Sequence, residues 1–292
     1  MGKKKEGILA TMYADLMGTL RSQYFNIGTN IYKWKDMPKE IPIRYPEKWL
    51  YENGTCCFFE HPDAGFMCLQ VATESIQKNV YGEPSKWRCV AVGDLSGTIS
   101  SMQFDETNSV LIRNDNMYRA TQPYVDVMIK QMINVELTMR LNINAQKNPM
   151  WVKCNDSNVL DKKNEFYEFF ECQPVFFKDI MSPNDFEFIN PNIKYIGNEL
   201  VDTYNSYRYR LLAYLGLDNP GVDKKERLLV NEEDSNNDEI LMIRNVRMEQ
   251  RKIACEKIND MFGLNISVDY NEQLNTERQI NVAGVMPGAQ PA

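Results

Sequence analysis

The chain has 292 residues, enough for one large domain or two modest ones, and its 43% hydrophobic and 25% charged residues are the proportions of ordinary globular proteins. No uncharged apolar run approaches the ~18 residues of a membrane span, and a net charge of -7 argues against a protein that grips a duplex through a basic face. Seven cysteines without CxxC spacing and one histidine, His61, exclude a histidine-rich metal site and point to reduced, packing cysteines rather than a disulfide framework.

The start, Met1-Gly2-Lys3-Lys4-Lys5-Glu6, is basic, but no long apolar core follows, so no secretory signal is expected. From Ile8 to about Trp34 the spacing of Leu9, Met12, Leu16, Leu20, Tyr24 and Ile27 predicts a helix. Pro38 and Pro42 close it, and an extended linker reaches Pro46. Thr55–Phe59 and Phe66–Val71 read as two strands of a hairpin around Pro62-Asp63-Ala64-Gly65, a turn that also accounts for His61. Trp87–Val92 and Ser109–Arg113 read as further strands, with turn chemistry at Asn114-Asp115-Asn116.

The clearest helix runs from about Tyr124 to Gln146. Val125, Met128, Met132, Val135 and Met139 form one apolar stripe, and Ile129, Ile133, Leu137 and Leu141 widen it, so two sides need cover. A second long helix is predicted from about Ile196 to Leu215, with Gly216 in the position of a C-cap glycine. Between them lies an aromatic- and proline-rich insert, 149–193, with strands expected at Glu171–Phe177 and Phe186–Ile189. A long polar stretch, 217–238, is expected to be a loop. A helix from about Glu239 to Phe262, a short strand at Leu264–Asp269 and a polar tail from Asn271 follow, the tail expected to be disordered toward its end.

Few residues suggest chemistry. Gly93-Asp94-Leu95-Ser96-Gly97 lacks a GxGxxG or Gly-Lys-Ser/Thr pattern and reads as a turn. Glu232, Glu233, Asp234 and Asp238 resemble a cation-binding carboxylate cluster without the glycine or spacing of an EF-hand, so a solvated segment is expected. The methionine stripe belongs to a core or an interface. Lys3, Lys4 and Lys5 offer a basic arm for nucleic acid or a solubilising end, and Lys224-Lys225-Glu226-Arg227 places cations in a loop where a passing phosphate backbone could touch them. No nucleophile–base pair stands out, so no reaction, cofactor or metal is expected.

Several strings taken in order resemble the upper collar protein of small short-tailed phages of the Salasvirus type, the head–tail connector or portal. They are Leu215-Gly216-Leu217 through Lys224-Lys225-Glu226-Arg227 to Ser235-Asn236-Asn237-Asp238-Glu239, then Ala254 through Asn265, and Asn144-Ala145-Gln146-Lys147-Asn148-Pro149. Trp34, Met37-Pro38 and Glu47-Lys48 add weaker matches.

The resemblance implies an α+β portal fold assembling as a ring of about twelve copies through one repeated head-to-tail contact. Residues 1–122 would form an N-terminal helix and β-rich wing, 123–148 the first stem helix, 149–193 the clip, 194–216 the second stem helix, 217–238 the channel loop, and 239–292 a wing helix, short strand and tail. Double-stranded DNA would pass through the channel during packaging and ejection, with Lys224, Lys225 and Arg227 touching it transiently. Lys3, Lys4 and Lys5 would be the place for a packaging RNA. Capsid protein, a lower collar or tail protein and a separate packaging ATPase would be partners, with no membrane, and the location would be the portal vertex of the virion after assembly in the host cytoplasm. The second stem helix departs from the family's lumen-facing lysines, offering Glu199 and Asp202 with Arg208 and Arg210 nearer its end. The competing expectation is a soluble metal-dependent nucleic-acid-processing enzyme holding its cation with Glu232, Glu233 and Asp234.

Overall fold

The computed structural model describes residues 8–147, 151–154, 175–177, 186–189, 193–217 and 230–271. Expectations for the N-terminal lysines, most of the 149–193 insert, the centre of the 217–238 loop and the tail lie outside these residues. The chain divides into two compact units, one made of Met1–Gly18 with Met128–Arg210 and the other of Thr19–Val127 with Leu211–Ala292.

The second unit is built on α2 (Tyr45–Asn53), β2 (Thr55–His61), β3 (Gly65–Val71), β6 (Cys89–Val90) and β8 (Ser109–Arg113), preceded by α1 (Ile8–Thr29) and β1 (Tyr32–Lys35). The strand order β6-β3-β2-β8 is antiparallel throughout, with Phe58 opposite Cys68 and Val110. Alternation sends Cys57 and Phe59 to one face, where they meet Trp87, Ile99 and Phe104. These come from β5 (Pro84–Trp87), α3 (Ser96–Ser101) and β7 (Phe104–Asp105), and β5 and β7 form a second small sheet with β4 (Gln77–Lys78). Phe59 and Phe104 rings lie 4.5 Å apart there.

Cys56 and Phe58 take the opposite face. Phe58 packs on Phe262 at 5.5 Å, and the Cys56 thiol meets the Pro46 carbonyl of α2. Cys56, Cys57, Cys68, Cys89 and Cys255 are all buried and unbridged. Burial pushes the Cys56 thiol well up and the Cys255 thiol to about 12, so these are packing groups and not reactive thiolates.

Helix α2 was not expected, because Pro46 read as part of the linker. At the first helical turn proline costs nothing, since its missing N–H has no intrahelical partner anyway. The helix stops at Gly54, whose φ of 81° demands glycine, as does the Tyr118 carbonyl oxygen, which any Cβ there would strike. The strand expected over Trp87–Val92 is split at Arg88: Trp87 pairs with Phe104 in the small sheet and Val71 with Cys89 in the large one. The first helix ends at Thr29 rather than Trp34, because Tyr32–Lys35 is claimed by an antiparallel pairing with β12 (Ser267–Tyr270). His61 is buried and accepts the Asp63 backbone N–H at 3.2 Å, the turn role expected of it.

A buried ion pair ties this unit together. Glu47 of α2 receives two hydrogen bonds of 2.7 Å from Arg251 on α6 (Val230–Phe262), in the forked geometry that suits guanidinium and carboxylate. The side chains are only 3% and 2% exposed. Trp34 Nε1 donates to Glu47 at 2.8 Å, Arg251 donates to the Asn114 side chain and the Arg247 carbonyl, and its guanidinium sits 4.0 Å from the Tyr32 ring centre. Burial alone would lower the Arg251 pKa, but the Glu47 carboxylate outweighs it and leaves the pKa raised.

Burial also pushes Tyr32 up to about 12, and raises Tyr51 and Tyr118. A folded pKa above the unfolded value gives stability that is complete below the unfolded pKa and lost as pH climbs through the folded one. The melting temperature should therefore hold steady from pH 8 to about 10 and fall between about 10 and 12. Thermal melts across that range, read beside tyrosinate absorbance, check it; a flat profile to pH 12 contradicts it.

The first unit holds most of α4 (Gln122–Lys147) and of α5 (Gly197–Leu215) and, between them in sequence, a three-stranded sheet in the order β10-β9-β11. In it β9 (Trp151–Cys154) runs parallel to β10 (Val175–Phe177) and antiparallel to β11 (Phe186–Ile189). The strands at 175–177 and 186–189 fall where the aromatic pattern placed them, whereas β9 was unforeseen.

Candidate functional site

Two features of the structure relate to the expected channel: the surface of the two long helices and the anchors of the polar loop. Helix α4 buries Val125, Ile129, Met132, Ile133 and Val135, drawn from both of the predicted stripes, and half-buries Met128, Leu137 and Met139. Within the first unit, apolar side chains stay open toward the end of α4 and around the start of α5, with Leu141 47% and Val201 44% exposed and Ile143 and Tyr195 similarly open. The stripe on α5 is buried only at its end, at Leu211 and Leu215, while Leu200, Tyr204 and Tyr207 are half-buried.

Side chains of the first unit hold the helices where the insert departs. Asn142 of α4 donates to the Lys194 carbonyl at 2.9 Å and accepts the Ile196 backbone N–H at 3.1 Å, while Gln146 donates to the Ile193 carbonyl. Burial, with Glu136 next to it, raises the Tyr204 pKa. Glu199, Asp202, Arg208 and Arg210 are all exposed on α5. In the second unit the Tyr124 and Tyr214 rings meet at a tilt of 34° with centres 4.0 Å apart, and Arg247 lies over Tyr214.

The loop leaves α5 through a glycine cap. Gly216 has φ 80°, its N–H bonds to the Ala213 carbonyl, and the Leu217 N–H reaches back to Leu212, the paired bonds of a Schellman motif. The glycine expected to close this helix does so. Leu217 is buried, and the chain is next described at Val230, where α6 begins. The expected loop of 217–238 is thus shortened, because Val230–Asp238 is helical. The missed signal was Glu232 and Glu233: acidic residues in a first turn complement the helix dipole, although with asparagines around them they read as loop.

Lys224, Lys225 and Arg227 lie between these anchors, outside the described residues, as do Lys3, Lys4 and Lys5. Among the described residues no cluster of histidine, cysteine and carboxylate side chains is placed to hold a metal, and the side chains of Glu232, Glu233 and Asp234 are outside those described.

This α+β composition, two long helices and a small three-stranded sheet together with a β-rich unit, is the class of structure the resemblance predicted. A family model described as Phage Connector (GP10) matches residues 15–275. The chain belongs to this family and is a phage head–tail connector, or portal protein. Solved structures with a related course include the portal and tail of native bacteriophage P68, at 14% identity over 97% of this chain and 100% of that one, with a TM-score of 0.49. A portal protein of the HK97 family from Corynebacterium diphtheriae matches at 10% identity over 99% of this chain and 100% of that chain, TM-score 0.47. The neck of a native gene transfer agent particle computed with C12 symmetry matches at 9% identity over 93% and 86%, TM-score 0.43. The family match is to a structural component, and it gives no support to the enzyme alternative.

Proposed function

We propose that copies of this chain close into a ring of about twelve around a channel that passes double-stranded DNA during packaging and ejection. The observation that carries this is the set of exposed apolar side chains on α4 and α5, Leu141, Ile143 and Val201 among them. Side chains such as Leu141 and Val201 cost free energy in water, and a repeated head-to-tail contact removes them from it in every copy at once. In this reading the ring sits at the portal vertex of the virion after assembly in the host cytoplasm. It meets capsid protein on its outside and a lower collar or tail protein at its narrow end, and a separate ATPase drives the DNA.

The acidic balance suits that task. A conduit must let a polyanion slide, and a wall summing many phosphate contacts would hold it fast. On this account Lys224, Lys225 and Arg227 supply a small number of cations at the channel loop, enough for transient contact. A packaging RNA at Lys3, Lys4 and Lys5 would be a second, separate contact.

Negative-stain imaging of the purified chain tests the ring: rings with a central hole are expected, and compact particles of single copies would contradict it. Lys224→Ala with Lys225→Ala should leave ring formation intact while lowering the fraction of filled heads that keep their DNA several-fold. Loss of rings in that double variant would contradict the loop assignment.

A further inference from the structure

A cleft of about 830 Å³ opens in the second unit between α1, β1 and α2. Its inner wall is aromatic, with Phe25 and Tyr51 meeting edge to face at 5.3 Å, and Ile43 stands exposed at its mouth. Lys33, Arg44 and Lys48 line it, and none of the three has an ion-pair partner among the described residues; Arg44 lies over the Tyr45 ring, and Lys48 over the rings of Tyr45 and Trp49. The acidic groups of the cleft are largely committed elsewhere, Glu47 to Arg251 and Asp126 to Arg21, which leaves Glu52. The cleft is therefore half apolar and in excess of positive charge, the chemistry that accepts an acidic segment with one large apolar side chain.

Such a segment begins at the rim. Asn271, the last described residue, itself lines the cleft. Its backbone N–H donates to the Ile31 carbonyl and its side chain to the Asn30 carbonyl, both at 3.0 Å. The sequence that follows is Glu272-Gln273-Leu274-Asn275-Thr276-Glu277-Arg278-Gln279-Ile280. From Asn30 back to Arg21 the α1 wall of the cleft is about 14 Å long at helical rise. The six residues 272–277 span about 20 Å when extended, so they reach along its whole length.

We propose that Glu272–Ile280 turns into this cleft of its own chain, with Leu274 against the Phe25–Tyr51 pair and Glu272 and Glu277 facing Lys33, Arg44 and Lys48. Arg278 falls where Glu52 is left to balance it. A partner's peptide of the same composition would fit the walls equally well, but the tethered segment is present at a far higher effective concentration because the residue before it, Asn271, is already fixed at the rim. A polyanion backbone fits less well, since Glu52 and an apolar wall share the cleft with the cations. The inference concerns one copy, so ring formation and this docking can fail independently.

The test uses the full chain with a photoreactive benzophenone side chain at position 274, prepared as a mixture of isotopically light and heavy copies. Irradiation followed by peptide mass spectrometry should place the cross-links in the 22–30 and 43–52 segments of the same copy. Cross-links that join light to heavy copies would assign the cleft to a neighbour's tail, and cross-links elsewhere or none would empty it; either result overturns the proposal. Lys33→Glu combined with Lys48→Glu should cut the yield of these cross-links at least threefold, and an unchanged yield would also overturn it. If that variant fails to fold, the mapping in the chain with native charges still decides.

Discussion

Replacing Arg251 with alanine should destabilise the protein by about 3–5 kcal/mol, a large share of the roughly 5–15 kcal/mol that an ordinary domain has. The reason is the desolvated carboxylate left behind. Glu47 is 3% exposed and would lose its ion pair, keeping the Trp34 indole N–H as its side-chain hydrogen-bond partner among the described residues. Asn114 would lose its guanidinium contact, and the stacking over Tyr32 would go as well. Replacing both charges together, as Glu47→Leu with Arg251→Met, should recover most of the loss, because an apolar pair of similar volume carries no desolvation cost. Urea denaturation of the two single variants and the double measures this directly. A double variant less stable than either single would show that the pair's charge is itself stabilising, and single variants within about 0.5 kcal/mol of the parent would remove the account of the lock.

The second large effect concerns association. Leu141→Asp and Val201→Asp alter side chains that are roughly half exposed in one copy, so the fold of that copy should change by no more than about 0.5 kcal/mol. At a subunit contact the same changes remove buried apolar surface and insert a carboxylate. Each contact should weaken by about 4 kcal/mol or more, roughly a thousandfold, and a ring multiplies the defect at every interface. The pair of substitutions should yield folded single copies with an unaltered melting temperature that do not form rings at micromolar concentration. Normal rings from this variant would mean that the exposed apolar side chains of α4 and α5 face something other than a neighbouring copy.

Much of the fold was legible because the periodicities were strong. The stripes over Tyr124–Gln146 and Ile196–Leu215 located α4 and α5 to within two residues, Gly216 gave the cap, and the Pro62–Gly65 turn gave the β2–β3 hairpin. What escaped notice depended on tertiary pairing. Trp87 and Cys89 belong to different sheets although they are two residues apart, and β1 exists only because β12, more than two hundred residues later, pairs with it. Nothing local signals either.

The Glu47–Arg251 lock was invisible for the same reason. An isolated glutamate beside Trp49 and an arginine in a charged helix are ordinary surface patterns until the fold buries both. The loop anchors were half legible: Gly216 marked the exit correctly, but the acidic asparagine-rich stretch hid the early start of α6 at Val230. Family membership was legible from ordered strings of modest specificity, which no single motif would have supplied.

Sedimentation of the purified chain over a range of concentrations bears most directly on the claim that exposed stem surface is spent on neighbours. The account predicts one dominant closed species near 400 kDa, about twelve times the 34.0 kDa chain, persisting on dilution into the low micromolar range. A chain that stays at its single-copy mass at the highest concentrations, with an unchanged cooperative melt, would contradict it.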